Sequence, residues 1–195
     1  PTRRSSDLIF GPNASLQIGG SFISSTADSL IFPEGSFSAV NPQPTELLSV
    51  KVPIGLQMGT NPGSIVNQSR ATVSGTNSAG TEAGLAVLPG RTIALIGGDV
   101  TLDGGNLTAL GGRIELGSVA GTQANLIPDA SGWRLTYPPA TGSYGNLQVL
   151  NGAFADASSF ASLASPDLQS PPQKIPVSGR SGEIQLRGAQ ILLDG

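Results

Sequence analysis

From Thr92 to Val119 the chain falls into four consecutive units of seven residues, TIALIGG, DVTLDGG, NLTALGG and RIELGSV, the first three closed by Gly97-Gly98, Gly104-Gly105 and Gly111-Gly112. Inside each unit apolar residues alternate with others: Ile93 and Leu95, Val100 and Leu102, Leu107 and Ala109, Ile114 and Leu116. A period of two sends one row of side chains inward and the other to solvent, which is the pattern of a β-strand. Seven residues is also the coiled-coil period. Here, however, the a/d apolar spacing is absent, and each glycine would cost a helix about 1 kcal/mol. Each unit has room for a strand and a two-residue corner, so three units make one coil of about 21 residues, the size of a β-solenoid repeat. The predicted fold is all-β, a right-handed parallel β-helix with a projecting hairpin or loop insertion. Its register puts Leu102 inside and Thr101 outside.

The rest of the chain is less regular. Leu16 with Ile18, Phe22 with Ile23, and Leu30 to Phe32 read as short strands between Gly, Pro and Asn turns, Gly11-Pro12-Asn13 being a strong turn signal. Asn41 to Glu46 is a polar, proline-containing break. Leu47 to Val52 and Ile65 to Val73 read as strands, and Ser74 to Gly84 as an exposed loop. After Val119 the period is lost. Trp133, Leu135 and Tyr137 alternate with Arg134 and Thr136, a strand expected to belong to the projecting insertion, with Asn146 to Leu150 as its return. Ala153 to Ala164 reads as a coil with Ser/Ala corners or one short helical turn, and proline-rich Ser165 to Pro176 as a loop kept out of any sheet interior. The seven-residue spacing resumes in GEIQLRG and AQILLDG, Gly182 to Gly195. Both ends read as cut. Pro1 to Leu8 is basic and polar without periodicity and matches the translated end of a common sequencing adapter, so it is expected to be foreign; Asp194-Gly195 stops at a repeat corner.

Composition fits thin stacked layers. Aromatics are 5% and charged residues 12% of 195, with 27 glycines and 15 prolines, so small aliphatic side chains must fill the interior. The net charge is −3, Lys51 and Lys174 are the only lysines, and the arginines are scattered, which argues against a nucleic-acid partner. No apolar run approaches the roughly 20 residues of a membrane-spanning helix. Without cysteine or histidine there is no disulfide framework, no thiolate or imidazole metal site, and no Ser-His-Asp or Cys-His nucleophile system.

Carboxylate chemistry remains, and its candidates are Asp99, Asp103, Arg113 and Glu115. The structural account of each is simpler: Asp103 satisfies N–H groups of a Gly-Gly corner, Asp99 opens a strand, and Arg113 and Glu115 form a solvent row. Asp103-Gly104-Gly105-Asn106 and Asp194-Gly195 look like pieces of calcium-binding nonapeptide repeats. Here the period is seven, and Ile96 and Leu110 occupy the positions equivalent to Asp103, so a metal is not expected. Trp133 and Tyr137 are either a sugar-stacking platform or, more simply, a cover for the flank of the stack. No catalytic, cofactor or metal residue is assigned.

The segment Ile9 to Phe32, IFGPNASLQIGGSFISSTADSLIF, resembles the filamentous haemagglutinin family at the closing part of its two-partner secretion domain, through Gly11 to Ala14, Gly19 to Phe22 and Ser25 to Ala27. The family's Asn-Pro-Asn-Gly element is missing before Ile9, where Arg3 to Asp7 stand instead. Val52 to Ser69, Leu88 to Gly121 and Ser131 to Tyr137 look like cyanobacterial members in particular. The resemblance implies a large exoprotein, threaded through an outer-membrane β-barrel transporter and folded outside as a β-helix. It implies residues 9–50 as the end of the secretion domain and 51–195 as β-helical stalk, with an adhesin-like role in contact with cells, surfaces or matrix polysaccharide. A β-helix carbohydrate-active enzyme and a passive structural spacer are the alternatives. No transporter-recognition residue is carried over.

Overall fold

The computed structural model describes residues 7–42, 52–73, 75–129, 132–137, 143–159 and 181–194. They contain strands and no helix, in the order β1 (Leu8–Phe10), β2 (Phe22–Ser25), β3 (Ser29–Phe32), β4 (Gly35–Ser38), β5 (Gly55–Gln57), β6 (Ile65–Asn67), β7 (Leu85–Ala86), β8 (Thr92–Gly97), β9 (Val100–Asp103), β10 (Leu107–Thr108), β11 (Arg113–Ala120), β12 (Gln123–Asp129), β13 (Gly132–Thr136), β14 (Ser143–Tyr144), β15 (Asn146–Leu150), β16 (Ala155–Asp156), β17 (Glu183–Arg187) and β18 (Gln190–Leu193). The expected strand at Leu47 to Val52 and the expected loop at Ser165 to Pro176 lie outside the described residues, wholly or nearly so.

Three parallel sheets form the body. The first runs β1-β6-β9-β15-β18, the second β7-β10-β16, and the third β2-β8-β11-β17. The chain visits them in rotation, first, second, third through β6, β7 and β8, then again through β9, β10 and β11. One such circuit is a coil. In the third sheet Thr92 lies opposite Arg113, an offset of 113 − 92 = 21 residues, so the three glycine-closed units make one circuit. Like stacks on like: Ile93 on Ile114 on Ile184, and Leu95 on Leu116 on Leu186. The inward row forms one core in which Ile65, Leu85, Ile93, Leu95, Leu102, Leu107, Ile114 and Leu147 are fully buried. Each such side chain contributes about 1.5–3 kcal/mol by leaving water.

Corners are set by close backbone approach. A Cβ on Gly98, Gly105 or Gly112 would collide with the carbonyl oxygen of Pro62, Asn67 or Arg91 in the previous coil. The columns continue upward, Gly145 against the Gly98 carbonyl and Gly182 against that of Gly112. The same corners carry inter-coil hydrogen bonds, from the Gly98 amide to the Gly63 carbonyl (2.8 Å), from Asn106 to Ser69 (2.8 Å) and from Arg113 to Arg91 (3.0 Å). Strands in a ladder stand about 4.8 Å apart, and at the corners this leaves no space for a side chain between coils.

A second core lies on the opposite face of the third sheet. Ala94, Ile96 and Val119 point outward there and are buried under Leu56, Met58, Ala124, Leu126 and Leu135. The cover is an antiparallel sheet, β13-β12-β5-β3-β4, built from two excursions. Each leaves after a strand of the third sheet, β2 or β11, and rejoins the first sheet at β6 or β15. They meet where β5 pairs with β12, Leu56 opposite Ala124.

The parallel sheets are compatible with the predicted β-helix, and the antiparallel sheet changes several details. The strand of Trp133 and Leu135 pairs with β12, and Asn146 to Leu150 is a strand of the first parallel sheet rather than its return partner. This hairpin lies against the stack instead of projecting, because its apolar face completes the second core. Arg113 and Glu115 are consequently buried, not a solvent row. Leu16 to Ile18 forms no strand, and the strand expected at Ile65 to Val73 stops at Asn67. After Ala153 the chain forms the two-residue strand Ala155–Asp156 and is irregular from there to residue 159. Leu8, grouped by sequence with a foreign N-terminus, pairs with Ile65.

Two pairs of substitutions test this geometry. Leu102→Asp should destabilise the chain by more than about 3 kcal/mol, an unpaired charge being forced into the interior, whereas Thr101→Asp should stay within about 0.5 kcal/mol in thermal or denaturant unfolding. Equal losses would contradict the register. Gly112→Ala should cost about 1–3 kcal/mol through overpacking, while Gly20→Ala, with no atom within 4 Å of the added carbon, should be near neutral in the same assay.

Candidate functional site

The four candidate charged residues divide between two places. Asp99 precedes β9 on the first sheet and Asp103 ends it. The Asp99 carboxylate accepts the Asn146 amide at 2.7 Å, which fixes the next coil where it enters β15. Asp103 accepts the side-chain amides of Gln68 (2.9 Å) and Asn151 (2.6 Å), one from the coil on either side. Bonds from Gln68 and then Asn151 hold its carboxyl below the usual range. Asp103 therefore staples three coils together through side chains, rather than serving the N–H groups of its own corner as its position before Gly104-Gly105 suggests.

Asn106, the other oxygen in the calcium-like fragment, is buried. Its amide donates to the Glu82 carbonyl at 2.6 Å and its oxygen accepts from the Phe154 amide at 3.0 Å. Among the described residues no three acidic groups stand together as metal ligands. Asp156, which sequence reasoning passed over, is a further staple. Burial pushes its carboxyl up, but bonds from Ser78 (2.6 Å) and Ser158 (2.9 Å) outweigh this and lower it, pinning the loop around Ser78 to the second sheet.

Arg113 and Glu115 sit together on the outward row of β11, beneath the β12–β13 hairpin. The Arg113 guanidinium lies 2.9 Å from Glu183, 3.5 Å from Glu115 and 3.5 Å from Asp129, and Arg134 is 3.9 Å from Asp129. Glu115 accepts the Leu135 amide at 3.3 Å through one oxygen, and the other has no hydrogen-bond partner. Burial raises the Glu115 carboxyl above its ordinary range, against the lowering effects of the Leu135 bond and the Arg113 charge. Burial also raises the Tyr137 phenol, whose hydroxyl is enclosed without a hydrogen-bond partner. Trp133 and Tyr137 both pack on the second core, so they cover the flank.

A cleft of about 440 Å³ opens where the excursions rejoin the first sheet, lined by Asp7, Asn61, Ser64, Asp99, Ser143 and Tyr144 among others. Its two carboxylates hold backbone: Asp7 accepts from the Ser64 amide at 2.8 Å and hydroxyl at 2.9 Å, and Asp99 holds Asn146. Both carboxylates of this cleft are thus already engaged by Ser64 and Asn146 rather than left facing the groove as a free acid–base pair. Together the charged groups join coil to coil and cover to stack.

These features define an all-β stacked scaffold in which Asp99, Asp103, Asp156 and the Arg113 cluster hold neighbouring segments together. The family described as the TPS secretion domain matches residues 8–166, and the chain belongs to this family. It is thereby a two-partner secretion exoprotein, of a secreted class rather than an enzyme family, in agreement with the resemblance carried by Ile9 to Phe32. The match runs through the boundary expected at residue 50, which itself falls among residues 43–51, outside the described residues. Comparison with curated proteins and with solved structures finds no match.

The raised Glu115 carboxyl gives a pH signature. A carboxyl that titrates higher in the folded than in the unfolded chain stabilises fully below the unfolded value, near 4.5, and loses that contribution as pH rises through the folded value. Glu115→Gln should therefore be more stable than the parent at pH 7 by about 1 kcal/mol, with the gap closing toward pH 4, in unfolding measured across pH. A gap that widens on acidification would contradict the assignment.

Proposed function

We propose that this chain is a right-handed parallel β-helical part of a large adhesin-like exoprotein, exported through a dedicated outer-membrane β-barrel transporter and displayed at or released from the surface of a Gram-negative-type bacterium. The family match over residues 8–166 carries the reading. The 21-residue register supports it physically. Each coil is templated by the edge before it, so folding propagates outward from the first coil and biases passage through the transporter without a separate energy source. In this reading the β-helical body runs on both sides of residue 50. The role is extended display, with contact to cell surfaces or matrix polysaccharide. Separation of Asp99 and Asp103 from the buried Arg113 and Glu115 favours display over carbohydrate cleavage.

Export is tested by placing the chain behind a signal peptide in a host with or without a two-partner transporter. Accumulation in the medium only with the transporter is expected; equal release without it, or periplasmic retention with it, would overturn the reading. Adhesion is tested with the purified chain on beads against cells and polysaccharide, where binding no greater than that of uncoated beads counts against the adhesin role.

A further inference from the structure

The outward row of β17 is linked to the β12–β13 hairpin through Arg113 of β11 and through Tyr137. Glu183 opens β17 and reaches Arg113 at 2.9 Å, and Arg187, at its other end, lies 5.9 Å from the centre of the Tyr137 ring, just past β13. Arg113 in turn meets Asp129 at the end of β12 and Glu115 beside it on β11. Its side chain is only 10% exposed, against 58% for Glu183 and 21% for Asp129. One nearly buried guanidinium is thus shared by carboxylates from β11, the hairpin and a strand that arrives 183 − 113 = 70 residues later. A buried cation is held only while its partners are in place, and its planar fork orients them jointly.

We propose that Arg113 couples closure of the β12–β13 hairpin to docking of β17, each holding more tightly when the other is present. Asp129 accepts from one Nη of the guanidinium at 3.5 Å, and Glu183 forms an ion pair with the other Nη at 2.9 Å, so Glu183 meets a charge whose position Asp129 already holds. Once Glu183 is docked, Arg113 is anchored at both ends and the hairpin loses freedom to lift. Hydrophobic burial under the hairpin supplies the closing force, and the charge cluster tells the hairpin that the next coil has arrived. This role in late locking during export rests on the exoprotein reading. The coupling itself is a property of the folded chain and is measured without a transporter, so either can fail alone.

The test is native-state hydrogen exchange on the purified full chain. Glu183→Gln should speed exchange of β13 amides, Leu135 included, by about fivefold or more, while β9 and β15 amides keep their parent rates. Coupling is reciprocal, so Asp129→Asn should speed exchange of the Glu183 amide, which donates to the Gly112 carbonyl at 3.0 Å, by a similar factor. In an Arg113→Lys background, which keeps the charge but loses the fork, Glu183→Gln should have a reduced effect on β13. Parent-like β13 exchange in Glu183→Gln, or an undiminished effect in the Arg113→Lys background, would overturn the proposal. If Arg113→Lys does not fold, the Glu183→Gln, Asp129→Asn double variant decides: strictly additive exchange effects refute the coupling, and non-additive ones sustain it.

Discussion

Hydrogen bonding between successive coils fixes their separation, and the remaining features of the chain accommodate that spacing. Along the strands the ladder is satisfied by stacking like side chains, as Ile93, Ile114 and Ile184 do. At the corners backbone meets backbone, and only glycine fits at positions such as Gly98, Gly105 and Gly112. The small aliphatic core follows from the same constraint. Side chains layered about 4.8 Å apart fill the interior with Ile, Leu and Val, leaving the few aromatic residues for the flank.

Charged residues follow the same logic. Asp99, Asp103 and Asp156 each spend their acceptor capacity on amides outside their own strand, at distances of 2.6 to 2.9 Å. Arg113 and Glu115 are drawn together under the cover, and the pairing there is incomplete, with Arg113 Nε and Nη1, one Glu115 oxygen and the Tyr137 hydroxyl lacking hydrogen bonds. Such residual frustration is tolerated where a cover closes over a preformed sheet, because burial of the apolar neighbours Ile96, Val119 and Leu135 outweighs it.

The inward row was legible because alternation with a glycine stop every seven residues has one economical geometry. Ile93, Leu102, Leu107 and Ile114 fall inside as their spacing requires. The outward row of the third sheet was not legible. Polar Arg113 and Glu115 look like a solvent face, and their burial depends on a hairpin whose strands, β12 and β13, lie outside the repeat. A signal was present in Ile93-Ala94-Leu95-Ile96, four apolar residues in succession where a half-exposed strand would alternate. The short hairpin pairings, such as Leu126 opposite Leu135, have no periodic signature, since a single excursion supplies only one copy of its pattern. Asp103 was legible as structural but not in its partners: Gln68 and Asn151 are 35 and 48 residues away, and only the register unites them.

The antiparallel cover has a mechanical consequence. Its two halves originate from β2 and β11, which are not neighbours but flank β8, and β5 joins them by pairing with both β3 and β12. A tensile load along the stack axis, acting to part β2 from β8 or β8 from β11, therefore also strains the β5–β12 seam. The seam bridges the middle coil like a splint across a joint. Under such a load, coils that lack a splint of this kind would be the first to part.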